Sequence, residues 1–152
     1  TPVDATQTPL KTEVNQALFH GLTPITVVNN RVQIMRAITT YTKSPANVDD
    51  PAWLDLTTIR TLDYTRKAIE QRIALRFPRA KLSNRTPPKV RSEILDVLYR
   101  LEDLEILENI DANKNKLLVV RNGQDPNRLD TAIPADVVNG LHVVANRIDL
   151  IL

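Results

Sequence analysis

LDLTTIRTLDYTRKAIEQRIALRFPR, residues 54–79, is the longest segment of the chain with a clean helical period. At about 100° per residue, Ile59, Leu62, Ile69, Ile73 and Phe77 fall within one quadrant of the helical wheel, an apolar stripe that predicts contact with a core. The other faces carry Arg60, Lys67, Arg72 and Arg76 against Asp63 and Glu70. Arg66 drops inside the apolar quadrant. A buried lone charge is too costly to leave unpaired, so Arg66 is expected to pair with an acid of the helix that follows, with an interface as the other reading. Pro78 ends the run, because proline cannot continue the hydrogen-bond ladder. One side of this element builds a fold and the other offers positive charge to a partner.

Working outward, residues 1–12 carry two prolines and no hydrophobic period, and read as an irregular lead-in. Residues 13–20 (EVNQALFH) predict a short helix with Val14, Ala17 and Leu18 inward and Gly21 just past its end. His20, near that C-terminus, reads as a surface residue suited to the helix dipole. Residues 25–28 and 31–38 are β-rich runs around Asn29-Asn30, a pair that tolerates the positive φ of a tight hairpin turn. In the second run Val32, Ile34 and Ile38 define an apolar face that only Arg36 breaks. Residues 41–52 and 78–88 read as loops, the second again basic.

Pro87-Pro88 opens a second helix, residues 89–107, with Val90, Ile94, Val97, Leu98, Leu101 and Leu104 at three- and four-residue steps. Its exposed positions are mainly acidic, so the two long helices could pack antiparallel and pair across their rims. Residues 117–120 form a short strand, and 121–138 a long turn-rich connection punctuated by Asn122-Gly123 and Asp125-Pro126. Residues 141–152 (LHVVANRIDLIL) alternate and predict a terminal strand with an apolar end. The order of elements predicts an α+β fold, a mainly antiparallel sheet with two long helices packed on one side, as a single domain over residues 13–152.

The 152 residues include 42% apolar and 25% charged, an ordinary globular balance, and the net charge of +2 is too small to make the whole molecule a polyelectrolyte binder. With no cysteine there is no disulfide framework and no thiolate metal site. No apolar run approaches the roughly 20 residues of a membrane span, and the N-terminus lacks the pattern of a signal peptide. Met35 is the only methionine, so the sequence does not begin at an initiator and a fragment of a larger protein is expected.

Catalysis finds no constellation. Two histidines, at positions 20 and 142, have no metal-ligand spacing, and no nucleophile-elbow, Walker or dinucleotide fingerprint occurs. Hence no catalytic residue, metal or cofactor is assigned. The carboxylates of residues 93–108 read as a solvated helix face. The basic set Arg60, Arg66, Lys67, Arg72 and Arg76 is the candidate partner-binding surface. A strand at a chain end is easily lent to a neighbouring sheet edge, which makes Ile148, Leu150 and Leu152 candidates too, beside the plainer reading of an ordinary strand of the same domain.

Three stretches carry a family resemblance: ITVVNNRVQIMRAITTYT (25–42), DPAWLDLTTIRTLDYTRKAIEQRIALRF (50–77) and LVVRNGQDPNRLDTAIPADVVNGLHVVANRIDLIL (118–152). In order and spacing the chain from residue 21 onward resembles the C-terminal part of a contractile-phage tail sheath protein of the Mu-like branch. The resemblance implies a structural subunit without an active site. Such subunits stack in six-fold rings around a tail tube and shorten when the baseplate fires, delivering the genome. It implies neighbouring sheath subunits and the tube protein as partners, with no small-molecule substrate and no membrane. It implies a location in the virion tail after synthesis and assembly in the host cytoplasm, and an isolated fragment that is monomeric. The basic positions then become tube or inter-subunit contacts, and the terminal strand an arm added to a neighbour's sheet. The alternative reading is a small nucleic-acid-binding module using Arg60 to Arg76. The sequence argues against it, because the basic positions are not interleaved with aromatics as in RNA-binding modules.

Overall fold

In the computed structural model, which describes residues 9–142 and 144–151, the chain divides into two units, Thr1–Arg79 and Ala80–Leu152. The first unit opens with helix α1, Lys11–Phe19. Leu10 N–H donates to Glu13 Oε2 at 2.7 Å, so an acid in the first turn satisfies a backbone group that the helix leaves orphaned. The helix stops at His20, and Gly21 at φ 78° supplies the left-handed residue. A Cβ there would also sit 3.3 Å from Thr40 Cα, so glycine serves both conformation and close approach. Val14 is the buried residue of α1.

Strands β1 (Ile25–Val28) and β2 (Arg31–Ile34) pair antiparallel, with Ile25 opposite Ile34 and Val27 opposite Val32. Asn29 and Asn30 hold φ of 49° and 59°, the double left-handed turn that asparagine accepts at low cost. β2 ends at Ile34, short of the expected Ile38, because Arg36 turns to a different partner. Its Nε and Nη2 donate to the two carboxylate oxygens of Asp55 at 2.7 and 2.6 Å. Beside this fork Leu56 N–H donates to Ala37 O and Thr39 N–H to Leu54 O, while Ile38 and Leu54 are buried. The run after the hairpin is thereby stitched to the start of the next helix.

That helix, α2, runs Leu56–Arg76 with Asp55 at its N-cap and Phe77 after its last turn. Ile59, Leu62, Ile73 and Phe77 are half-buried as the stripe requires, and Ile69 is buried. The other buried residue is Thr65, so the covered line is rotated by roughly 60° from the centre of the apolar quadrant toward threonine. This corrects the placement of Arg66. It lies beside the covered line, exposed, and pairs with Asp63 on its own helix at 2.9 Å.

The second unit is built on α3, Thr86–Asp103, with proline in its first turn as expected. Val90, Ile94, Val97, Leu98 and Leu101 are its buried side, joined in the core by Leu107, Ile110 and Leu117. Left-handed Glu105 and Asn109 turn the chain into the short helix α4, Ile110–Asn113, whose first N–H donates to Glu102 Oε1 at 2.9 Å. A 3-10 turn, Lys114–Lys116, follows. The Arg91 guanidinium donates to Lys114 O at 2.7 Å and Leu117 O at 3.3 Å, fixing α3 to the start of the next strand.

β3 (Leu118–Arg121) packs against α3 and pairs antiparallel with β4 (Leu129–Ala132), Leu118 lying opposite Ala132. Part of the expected connection 121–138 is therefore a hairpin. Beyond β4, Val137 bridges Leu107, with Glu108 N–H donating to Asp136 O at 2.9 Å. Of the strand expected over 141–152, residues 141–142 and 144–151 lie outside helix and strand, and Val143 and Leu152 lie outside the described residues. The class is α+β with antiparallel pairing, and among the described residues the strands are divided between two two-stranded sheets. Among the described residues no helix is long and apolar enough to cross a membrane.

Candidate interaction surfaces

The basic residues of α2 do not share one face. Counted at about 100° per residue, Arg60 and Lys67 lie within roughly 20° of each other, opposite buried Ile69. Both are exposed, and neither makes a hydrogen bond or ion pair among the described residues. Tyr64 and Leu75 flank them, 53% and 74% exposed. Arg72 and Arg76 project on the covered side, where Arg72 is half-buried and both are engaged in further interactions. Arg66 is taken up by Asp63. The outer face is thus a pair of free cations with apolar neighbours, rather than a basic stripe.

The β1–β2 ribbon supplies a further surface, one absent from the candidates read from the sequence. Its pairing puts Ile25, Val27, Val32 and Ile34 on one side, and their exposures run from 51% to 70%. The opposite side carries Thr26, Val28, Arg31 and Gln33. Neither outer edge of the ribbon pairs with another strand among the described residues. The alternation was visible in residues 31–38. What it could not give was the partner, because periodicity says which side chains share a face and not what covers them.

The third surface is the C-terminal tail. Leu141, Val144, Ile148, Leu150 and Ile151 are 66% to 95% exposed, and of the three candidates there Leu152 lies outside the described residues. Apolar side chains this exposed, on a backbone without ladder bonds, are the sort of segment a second chain can pair with.

Elsewhere charges serve local structure. Hydrogen bonding to Asp55 raises the Arg36 pKa, against burial that lowers it. The Asn122 amide first, then Arg128, hold Asp130 below the ordinary carboxylate range, and Lys114 with Tyr99 do the same for Asp111. Tyr41 is pushed up by its hydrogen bond to Asp50. A shallow depression of about 260 Å³ lies among Asn113, Lys116, Pro134, Ala135 and Asp136. Its charged groups are already partnered, Lys116 by Asn113 at 2.8 Å and Asp136 by Asn109 at 3.0 Å. Among the described residues no three histidine or carboxylate groups converge on a metal position.

Comparison with known proteins gives the family. The model of the family described as phage tail sheath C-terminal domain matches residues 48–151. The chain is also 32% identical to the Mu-like prophage FluMu tail sheath protein of Haemophilus influenzae, over 92% of its own length. It spans 31% of that relative.

Proposed function

The chain belongs to the phage tail sheath family, and on that premise we propose that it is the inner domain of a contractile sheath subunit, working by contacts rather than by chemistry. The contacts are of two kinds. Residues 144–152, with Ile148, Leu150 and Leu152 as alternate side chains, act as an arm that adds a strand to a neighbouring subunit. The open β1–β2 ribbon is its receiver, through a free edge and the uncovered face of Ile25, Val27, Val32 and Ile34. Arg60 and Lys67 on the outer face of α2 meet an acidic surface of the tail tube or of the next subunit. Arg66, held by Asp63, and Arg72 and Arg76, on the covered side of the helix, lie off that outer face and are left out of this contact. In the virion tail such backbone pairing keeps rings connected while subunits slide, since a ladder of main-chain bonds tolerates rotation of the domains it joins.

The observation that carries this reading is the tail itself, whose described apolar residues stand open to solvent with no strand of their own domain beside them. Deleting residues 148–152 from the full-length protein tests it. The expected outcome is loss of polymerisation in sedimentation and micrographs, with circular dichroism and unfolding midpoint unchanged. Loss of folding instead would assign the tail to its own domain and overturn the arm.

A further inference from the structure

Two Asn-Gly pairs, Asn122-Gly123 and Asn139-Gly140, share a chemical liability. The backbone nitrogen of the following glycine, unshielded by a side chain, can attack the asparagine carboxamide carbon. The structure treats the two pairs in opposite ways. Asn122 is clamped: its Oδ1 accepts from the N–H groups of Gln124 and Asp125, each at 2.8 Å, and its Nδ2 donates to Asp130 Oδ2 at 2.6 Å. The carboxamide is held in the turn between β3 and β4 and cannot rotate toward Gly123 without breaking all three bonds. Asn139 is exposed, lies outside helix and strand, and its side chain makes no hydrogen bond among the described residues.

We propose that Asn139 is a site of spontaneous deamidation and isoaspartate formation, and that Asn122 is protected from the same reaction by its clamp. Gly140 N loses its proton to solvent base and attacks Asn139 Cγ. The new C–N bond closes a five-membered imide as the C–NH2 bond breaks and ammonia leaves with a proton. Water then opens the ring at either carbonyl, giving aspartate or isoaspartate, so that carboxamide plus water becomes carboxylate plus ammonium. The product lies at the root of the exposed tail. It adds a negative charge there, and the isoaspartate form adds one backbone atom. On the reading of the tail as a lent strand, that atom disturbs the two-residue period of everything beyond it.

The test is incubation of the 152-residue chain at neutral pH and 37 °C, followed by tryptic mapping with tandem mass spectrometry. Cleavage after Arg121, Arg128 and Arg147 places the two asparagines in separate peptides, 122–128 and 129–147. Deamidation at Asn139 is expected about ten-fold or more faster than at Asn122, since the loss of a single net hydrogen bond is worth about that factor. In concentrated urea the two rates are expected to converge. Replacing Asp130, as Asp130→Ala, is expected to raise the rate at Asn122 alone. Equal rates in the folded chain, or a ratio that persists unchanged in urea, would overturn the proposal. Fragment ions separate Asn139 from Asn146, and modification confined to Asn146 would overturn it as well. The readout is chemical, so it stands or falls apart from any assembly role of the tail.

Discussion

At the scale of residues, the two arginines that broke the apolar pattern turned out to have nearby partners. Arg36 makes a two-bond fork to Asp55, with both side chains only about a quarter exposed (26% and 25%). Fork geometry and partial burial place this pair above an ordinary surface ion pair. Arg36→Ala is therefore expected to destabilise the protein by about 1–2 kcal/mol in urea unfolding, and Arg36→Lys to recover less than half of it, because an ammonium cannot reproduce the planar fork. Arg66 shows the limit of wheel arithmetic. Its position beside the stripe was legible. Its partner was not, because counting only apolar residues ignores a threonine that can be buried, and Thr65 shifts the covered line. Asp130 gives a pH prediction. Asn122 and Arg128 depress its folded-state pKa, so its contribution is fully present above the ordinary aspartate value and is lost as pH falls through the depressed one. The acid limb of the stability curve is expected to flatten in Asp130→Asn, measured as unfolding midpoint against pH between neutral and strongly acidic conditions.

At the scale of elements, what was legible was what local chemistry decides. The Asn29-Asn30 hairpin and the proline-initiated α3 each follow from a few adjacent residues, and both form, with β2 stopping at Ile34 rather than Ile38 and α3 running Thr86–Asp103 rather than 89–107. Asn30 sits at φ 59°, where a Cβ still costs something, so Asn30→Gly is expected to raise the unfolding midpoint, by about 0.5 kcal/mol or less in stability. A fall in the midpoint would show that the asparagine side chain, not its φ, holds the turn. β4 went unread because Leu129–Ala132 is four residues of mixed polarity whose pairing is set by the Asn122 and Asp130 contact across the turn. The terminal strand failed for the opposite reason. Residues 141–152 have the alternation of a strand, but a strand exists only with a partner, and periodicity cannot say which chain supplies one.

For the whole molecule, these mismatches point the same way. An amphipathic ribbon with its apolar side open, and an alternating tail with no ladder of its own, are each incomplete by the rules that govern a solitary soluble domain. The proposed arm-and-ribbon pairing would complete both. Of the proposed surfaces, the tail's apolar alternation and the surplus of cations on α2 were legible in the sequence, their distribution around the helix was not, and the ribbon emerged only once exposures were known. Hydrogen exchange on the full-length protein, before and after assembly into sheath polymer, tests this most directly, because strand addition is a statement about backbone amides. Amides of residues 144–151 are predicted to exchange fast in the unassembled subunit and to become protected on assembly, together with an outer edge of β1 or β2. Protection of the tail already present before assembly, or a tail that still exchanges freely in the polymer, would contradict the account.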